Sequence, residues 1–325
     1  MVKRKFWVWM YQNTDKSLED WEKYLKRLTE NGISGLILQS DIENIARALQ
    51  ANKKFGLEIH AWIISLLYRP KDKEITDYSK YAMVNRNDVA MTEETPYVDY
   101  YKWICPNKAL GVLKKEIEKY LLIPGLDGIQ LDYIRYPDVI LAKRLQKKYG
   151  LKQDKEFAEF DYCYCNICRE LFIDKYGQDP IKLSNPPENS DWVRFRYDSI
   201  TNLVNELSKS LEKKIDISAA VFPTPTIAKK LVRQDWQNWK VNKIFPMIYN
   251  YFYAEKVDWI GKCVDNIVKQ NVRKKIYAGL YLPEMDIEEY RKALNLALKN
   301  GADGVCLFHS EAIKTEHLRI LRNLL

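Results

Sequence analysis

The sequence predicts an α/β fold, a (β/α)8 or TIM barrel that forms one domain over residues 1–325. Short apolar runs alternate with amphipathic helical patterns about eight times, which is the count of that barrel. Residues 32–38, 125–131 and 301–307 each contain Gly-x-x-Gly followed by an apolar run. Each heptad lies between a helix pattern and a strand pattern, which indicates a repeated helix-loop-strand unit. No segment has the length and composition of a linker between independent domains.

The elements follow in order from their hydrophobic periods. Ser17 has the residue type that caps a helix, and Leu18, Trp21, Leu25 and Leu28 follow it at helical spacing. The predicted strands lie at residues 6–11, 32–38, 58–65, 127–137, 215–222, 243–249, 275–282 and 304–308. The predicted helices lie at residues 18–28, 41–55, 107–122, 191–213, 226–236, 254–270, 286–300 and 315–325.

The chain is longer than the ~250 residues typical of the fold, and the surplus lies in two insertions. They cover about residues 66–106, after the third strand, and about residues 138–190, after the fourth. Loops that follow barrel strands rise from the C-terminal face, where barrel enzymes have their active sites. We therefore expect both insertions to lie there as neighbours.

The fourth strand is the centre of the predicted site. Apolar residues alternate with polar ones along residues 127–137, and Asp132 lies close to the C-terminal end of this buried run. Asp132, Tyr133, Arg135 and Tyr136 crowd into one strand end, and burying such groups costs several kcal/mol unless they are paired. One reading is that Asp132 caps the next segment or pairs with Arg135. The other is a functional site, because sites tolerate this cost more often than scaffolds do.

Polar side chains also follow the other predicted strands, and a barrel aims these ends at one crater. The candidates are Tyr11, Gln12, Gln39, Asp41, His60, Trp62, Asp132, Arg135, Tyr249, Asn250, Glu284, His309 and Glu311. Carboxylates, amides, histidines and aromatic rings suit carbohydrate chemistry, and no glycine-rich phosphate loop is visible. Aromatic residues make up 13% of the chain, and some of them are expected to be platforms for sugar rings.

A cysteine cluster lies in the second insertion. Cys163, Cys165 and Cys168 could supply three thiolates from a tight turn, and Cys105 at the end of the first insertion could supply a fourth. Four thiolates close the shell of a tetrahedral zinc ion, so the metal would be structural and would join the insertions. The alternative is a group of reduced, unligated thiols. Burial as small apolar residues is sufficient explanation for Cys263 and Cys306.

Charge and hydropathy narrow the class of protein. The net charge is +8, but Lys and Arg are dispersed among 44 acidic residues, so nucleic-acid binding is a weak third hypothesis. No run approaches the ~18 apolar residues of a membrane span. The expectation is a cytoplasmic protein as the chain stands, or a secreted one if a leader has been removed.

Four motifs carry a family resemblance. Residues 127–137 have the sequence Asp-Gly-Ile-x-Leu-Asp-Tyr-x-Arg-Tyr-Pro. This stretch is preceded by Cys105-Pro-Asn and followed by two further motifs, residues 245–249 and 277–280. Together they resemble the glycosyl-hydrolase-like family 10 barrels. The cysteine arrangement is similar to the zinc cluster of certain barrel β-galactosidases. The resemblance implies a TIM barrel that acts on carbohydrate, with Asp132 as a catalytic carboxylate comparable to the nucleophile of amylase-type barrels.

One departure separates the chain from amylase-type barrels, which carry a Glu after strand five, because residues 221–225 contain no carboxylate. We therefore expect Glu284 to be the proton donor, with Asp41 and Glu311 as alternatives. Asp132 would be nucleophile or base, held ionised by Arg135 and Tyr136. The substrate-binding set is Tyr11, Gln39, His60, Trp62, Arg135, Tyr136, Tyr249, Asn250 and His309. The rival hypothesis is a carbohydrate-binding barrel without hydrolytic activity.

Overall fold

The computed structural model describes residues 4–12, 15–69, 74–91, 102–212, 214–270 and 273–324. Eight parallel strands close into a barrel in which each strand pairs with the next and the last pairs with the first. The strands are β1 (Lys5–Tyr11), β2 (Ile33–Gln39), β3 (Glu58–Ile64), β4 (Gly128–Asp132), β5 (Asp216–Val221), β6 (Lys243–Pro246), β7 (Lys275–Tyr281) and β8 (Gly304–Phe308). The predicted (β/α)8 barrel is confirmed.

At least one helix follows every strand. The helices are α1 (Leu18–Thr29), α2 (Ile42–Asn52), α3 (Pro106–Leu121), α4 (Lys143–Lys148), α5 (Asn166–Tyr176), α6 (Ser190–Leu211), α7 (Pro225–Val232), α8 (Asp258–Lys269), α9 (Ile287–Lys299) and α10 (Thr315–Arg322). Ser17 caps α1 as predicted, since its side chain accepts from the Asp20 backbone N–H. Among the described helices, none is long and apolar enough to cross a membrane.

The barrel interior is filled with aromatic side chains. Trp7 packs edge-on against Phe245, with ring centroids 5.3 Å apart, and Phe245 stacks on Tyr277 at 5.1 Å. Trp9 lies above this group and donates its Nε1–H to Gln130 Oε1 at 2.5 Å. Gly35 is required here, because a Cβ at this position would lie 2.2 Å from the Trp7 ring. The interior is therefore a packed core that forms a floor under the C-terminal face.

The N-terminal end of the barrel is closed by charged side chains. Glu58 accepts from Lys5 and Lys243, each with an N–O distance of 2.7 Å. Lys243 also pairs with Asp216. The opposite charges at this end are therefore matched within the barrel.

The two longest connections follow β3 and β4, and they contact each other. Short antiparallel bridges join Leu67 to Trp103 and Ala82 to Ile104 within the first, and Asn85 to Tyr162 between the two. Asp161 and Arg196 form an ion pair that is fully buried under the second connection. These contacts attach both connections to the barrel through α6.

Helix ends differ from the prediction where the backbone turns left-handed. The helix predicted to begin at residue 254 begins at Asp258, because Ala254 has a φ of 55° after a 3-10 turn. The helix predicted to end at residue 236 ends at Val232, because Arg233 has a φ of 59°. Side-chain periodicity does not report such single-residue reversals.

Candidate active site at the C-terminal face

A cavity of about 1010 Å³ opens at the C-terminal ends of the strands. The structure brings eight of the predicted site residues to its wall: Tyr11, Gln39, Trp62, Asp132, Arg135, Tyr249, His309 and Glu311. Each lies within three residues of the C-terminal end of a barrel strand. The long connections contribute further wall residues, including Tyr68 and Trp103.

Asp132 is the last residue of β4 and is 7% exposed. Its Oδ2 accepts from Trp62 Nε1 at 2.9 Å, and its Oδ1 accepts from the Tyr133 backbone N–H at 2.7 Å. Tyr133 has a φ of 50°, a conformation that few residues with a side chain adopt. The chain thus turns sharply after Asp132.

Burial raises the pKa of the Asp132 carboxyl, although the Tyr133 N–H, Trp62 and the charges of Arg135 and Arg69 act in the opposite direction. Arg135 therefore acts on this pKa in the predicted direction, but burial has the larger effect. Removal from water outweighs the favourable charges and donors. Burial therefore favours the protonated form of this carboxyl.

Arg135 is held by its own neighbours. Its Nη1 donates to Asp138 Oδ2 at 3.0 Å and to the Tyr136 carbonyl oxygen at 2.9 Å. The guanidinium carbon lies 4.9 Å from the Trp103 ring centroid and 5.1 Å from that of Phe222. Arg135 therefore lines the cavity as a packed, ion-paired group.

Aromatic rings form a continuous wall on one side of the cavity. Phe308 lies 5.8 Å from Tyr281, 5.6 Å from Tyr249 and 6.4 Å from Trp62 between ring centroids. Phe252 packs edge-on against Tyr281 at 5.0 Å. Such rings present flat apolar faces, which suit the C–H faces of sugars, while the Tyr hydroxyls keep a polar edge.

The structure does not bring Glu284 into this cavity. Glu284 ends a 3-10 turn after β7, its side chain is exposed, and it is not among the described residues that line the cavity. Glu311 does line it, and its carboxylate lies 4.0 Å from His309 Nδ1. Of the two alternatives to Glu284, Glu311 therefore lies in the main cavity, whereas Asp41 caps α2 by accepting from Asn44 N at 2.8 Å.

Four other predicted residues also lie outside the wall of this cavity, and one of them, Gln12, lines a smaller cavity beside it. His60 is in the first half of β3, inside the barrel, where Nδ1 lies 2.9 Å from Ser218 Oγ and Nε2 lies 3.1 Å from Glu58. Tyr136 is 1% exposed and lies close to the cysteine cluster. Asn250 is buried and donates to the Glu255 carbonyl at 3.0 Å, which fixes the 3-10 turn after β6.

The prediction missed several residues of the cavity wall. Trp9, Tyr281 and Phe308 lie near the C-terminal ends of their strands, so the strand-end rule could have found them. Tyr68 and Trp103 come from the first long connection, where no periodic pattern indicates which side chain turns inward. The signal for these two is absent from a single sequence.

The four predicted cysteine ligands lie together. Cys105, Cys163, Cys165 and Cys168 are buried, are not joined by disulfides, and have sulfur atoms that all lie within 4.8 Å of one another. Cys105 Sγ is 3.4 Å from Cys168 Sγ and 3.7 Å from Cys165 Sγ. With Zn–S bonds of about 2.3 Å, neighbouring sulfur atoms of a tetrahedral site lie about 3.8 Å apart. The group therefore fits a tetrahedral metal ion.

Comparison with known proteins agrees with the fold. No curated protein has significant sequence similarity to the chain. The catalytic domain of a β-amylase from Paenibacillus polymyxa superposes with a TM-score of 0.59 at 12% identity, covering 98% of this chain and 95% of that one. An endo-β-1,4-mannanase from Thermotoga petrophila gives 0.57 at 10% identity, with 99% and 76% covered. A chitinase from Rhizomucor miehei gives 0.50 at 11% identity, with 99% and 100% covered.

These likenesses show the barrel fold, and a sequence match shows the family. Residues 10–277 match a family described as "Putative glycosyl hydrolase domain". The resemblance to glycosyl-hydrolase-like family 10 stays a prediction. Because the match spans more than half of the sequence, the chain belongs to the family DUF4015, the "Putative glycosyl hydrolase domain" family.

Proposed function

We propose that the protein is a glycoside hydrolase that cleaves O-glycosidic bonds in an oligo- or polysaccharide, with Asp132 as its proton donor. The observation that carries this proposal is the buried Asp132 carboxyl, whose pKa is raised by burial, at the end of β4 in a cavity with an aromatic wall. The family match and the glycosidase barrels of similar fold support the same reaction class.

Asp132 gives its proton to the glycosidic oxygen as the bond from that oxygen to the anomeric carbon breaks. The bond's electron pair goes to the leaving oxygen, and the sugar develops positive charge at the anomeric carbon. The carboxylate that remains accepts from Trp62 Nε1 and from the Tyr133 N–H. These two donors stabilise Asp132 after it has lost its proton, so they favour the transfer.

Glu311 takes the second carboxylate role in this proposal, in place of Glu284. Its position on the cavity wall beside His309 supports the assignment. Glu311 either attacks the anomeric carbon, forming a glycosyl-enzyme bond that water then hydrolyses, or activates a water molecule that attacks this carbon directly. Carboxyl groups ~5–5.5 Å apart in the substrate complex would indicate retention of configuration, and ~6.5–9.5 Å inversion.

A carbohydrate-binding barrel without hydrolytic activity is the second candidate. Two observations favour it: residues 221–225 after β5 contain no carboxylate, and the Glu311 side chain is 82% exposed at the rim. A binder needs the aromatic wall and the polar groups but no pair of carboxylates.

Reducing-sugar release from mannan, chitin, starch and other polysaccharides separates the two candidates. We expect the parent chain to release sugar, and Asp132→Asn and Glu311→Gln each to lose activity by about 10²–10⁴-fold. Glu284→Gln is the matched control and should keep the parent rate. No release from any polysaccharide, with equal sugar binding by the parent and Asp132→Asn, would favour the binding barrel.

We also propose that Cys105, Cys163, Cys165 and Cys168 hold a structural zinc ion that joins the two long connections. The sulfur spacing and the burial of the group support it. A closed thiolate shell leaves no position for substrate, so the ion would stabilise the fold and take no part in the reaction.

Metal analysis of the purified protein tests the zinc proposal. We expect zinc to copurify, a strong chelator to lower the melting temperature, and Cys105→Ser to lose the metal. Cys263→Ser, a change in a buried cysteine of α8, is the control and should keep it. A metal-free parent chain whose melting temperature does not respond to zinc or chelator would contradict the proposal.

A further inference from the structure

A second cavity of about 670 Å³ adjoins the main one, and we call it the side groove. The two cavities share four wall residues, Tyr11, Gln39, Trp62 and Ile64, at the ends of β1, β2 and β3. The side groove continues from these residues to Glu43 in α2 and to Tyr120 in α3. The shared wall makes the two cavities one cleft with two lobes.

Each lobe alone is about as large as a complete small-molecule site, for which ~300–1,000 Å³ is usual. Of the two cavities, Asp132 lines only the main one. The side groove therefore takes no part in the proposed proton transfer. A second lobe of this size next to a reaction site is suited to hold more of the same substrate.

The side groove is polar, with one aromatic face at its border. Tyr11 is 48% exposed, so its ring is available as a platform. Beyond it the wall contains hydroxyl, amide and carboxylate groups, including those of Gln39, Ser40 and Glu116. Flat aromatic faces combined with short polar side chains match the C–H faces and hydroxyl rims of sugars.

The charge of the side groove restricts the class of sugar. Among the residues that the structure describes, its wall contains the carboxylates of Asp15, Asp41, Glu43 and Glu116 and one lysine, Lys119. Lys119 pairs with Glu116 at 3.4 Å. Like charges placed together disfavour binding, so chains of uronic acids are poor ligands and neutral chains are suitable.

We propose that the side groove is a glycan subsite, so that the substrate is a neutral sugar chain long enough to occupy both lobes. This inference rests on the proposed function, because it assigns the side groove to the same substrate as the main cavity. It predicts that binding strengthens with chain length beyond the length that fills the main cavity.

The test uses the full chain carrying Asp132→Asn, which should bind substrate without cleaving it. Calorimetry measures its affinity for manno-, chito- and malto-oligosaccharides from the disaccharide to the hexasaccharide, with oligogalacturonides as an anionic series. We expect at least one neutral series to bind more tightly as it lengthens, and Tyr11→Ala to weaken the longer members by about two- to tenfold.

A matched pair of substitutions in the same background localises the effect. Glu43→Trp places a large side chain in the side groove, whereas Glu118→Trp adds the same side chain to α3 at a residue that does not line the groove. We expect Glu43→Trp to reduce the affinity for long chains to that for short ones, and Glu118→Trp to leave the dependence on length intact.

Four results would overturn the inference. Affinity independent of length, or a length dependence that Glu43→Trp leaves unchanged, would remove the side groove from the substrate site while leaving the proposed hydrolase in place. A length dependence confined to oligogalacturonides would contradict the assigned sugar class. Binding of no oligosaccharide of any length would contradict this inference together with the proposed function.

Discussion

The protonation of Asp132 depends on a balance between burial and a small number of donors. Burial raises the pKa of this carboxyl, while the Tyr133 N–H and Trp62 Nε1 lower it by bonding the charged form. The two donors contact different oxygens of the same group, and only the Trp62 donor belongs to a side chain that a substitution can remove. The pH dependence of catalysis should therefore respond to the loss of the Trp62 indole.

Trp62→Phe tests this balance. The indole N–H favours the ionised carboxylate, so its loss should raise the pKa of Asp132 further. A proton donor is active below its pKa, so the basic limb of the kcat/KM profile should move to higher pH. Trp103→Phe is the control, since the Nε1 of Trp103 has no hydrogen-bond partner within the described chain. A limb that stays in place or moves to lower pH would contradict the role of Trp62.

At the scale of elements, the connection after β4 is held by a charge pair with no access to water. Asp161 accepts from Arg196 of α6, and its other oxygen accepts from the Tyr164 hydroxyl at 2.7 Å. Both members of the pair are fully buried. Removing one partner leaves the other charge buried without compensation.

Asp161→Ala should therefore lower the free energy of unfolding by about 3–5 kcal/mol. Asp198→Ala is the control, because Asp198 forms an exposed pair with Lys175 and such pairs contribute about 0–1 kcal/mol. Urea unfolding followed by circular dichroism measures both. Equal costs for the two substitutions would show that the buried pair does not hold this connection.

The elements of the barrel could be predicted because burial dictates their periodicity. The strand and helix patterns predict the correct order of elements. The predicted helix ends are wrong at Ala254 and Arg233, where a single left-handed residue delays the start of one helix and ends another. The helices α4 and α5 were missed because they lie in an insertion whose pattern was not resolved into elements. Local backbone conformation at one residue leaves no periodic trace in the sequence.

Part of the candidate site could be predicted for the same reason. Asp132, Trp62 and His309 lie in the cavity because parallel strands bring their C-terminal ends together. The prediction that His60 lies in the cavity is wrong, because this residue lies two positions after the start of β3 and not at its C-terminal end. The hydrophobic pattern does not distinguish these two positions. The position of Glu284 depends on how the turn after β7 bends, which only the packed structure determines.

At the scale of the whole molecule, closure of the barrel depends on close contact between β1 and β2. Gly35 lies beside Trp7, and a methyl group on it would approach the indole to 2.2 Å. Trp7 in turn packs on His60, Phe245 and Tyr277 across the interior. A single added carbon would therefore displace several large rings.

Gly35→Ala should destabilise the protein by at least about 1–3 kcal/mol, the usual cost of overpacking a core. Gly111→Ala makes the same chemical change in α3, where an added Cβ meets nothing within 4 Å. Since Ala favours a helix over Gly by about 0.5–1 kcal/mol, this control should be stabilising. Thermal unfolding of the two variants should shift in opposite directions, and a neutral Gly35→Ala would contradict the packing described.

The central claim is that this barrel is a glycosidase in which Asp132 supplies the proton, and leaving-group dependence tests it most directly. Dinitrophenolate leaves from a dinitrophenyl glycoside without being protonated, whereas a leaving sugar needs a proton on its hydroxyl oxygen. Asp132→Asn should therefore lose about 10²–10⁴-fold of the parent kcat/KM on an oligosaccharide but little of the kcat/KM on the matching dinitrophenyl glycoside. Equal losses on both substrates would contradict the assignment of Asp132 as proton donor, and a parent chain that cleaves neither would contradict the hydrolase itself.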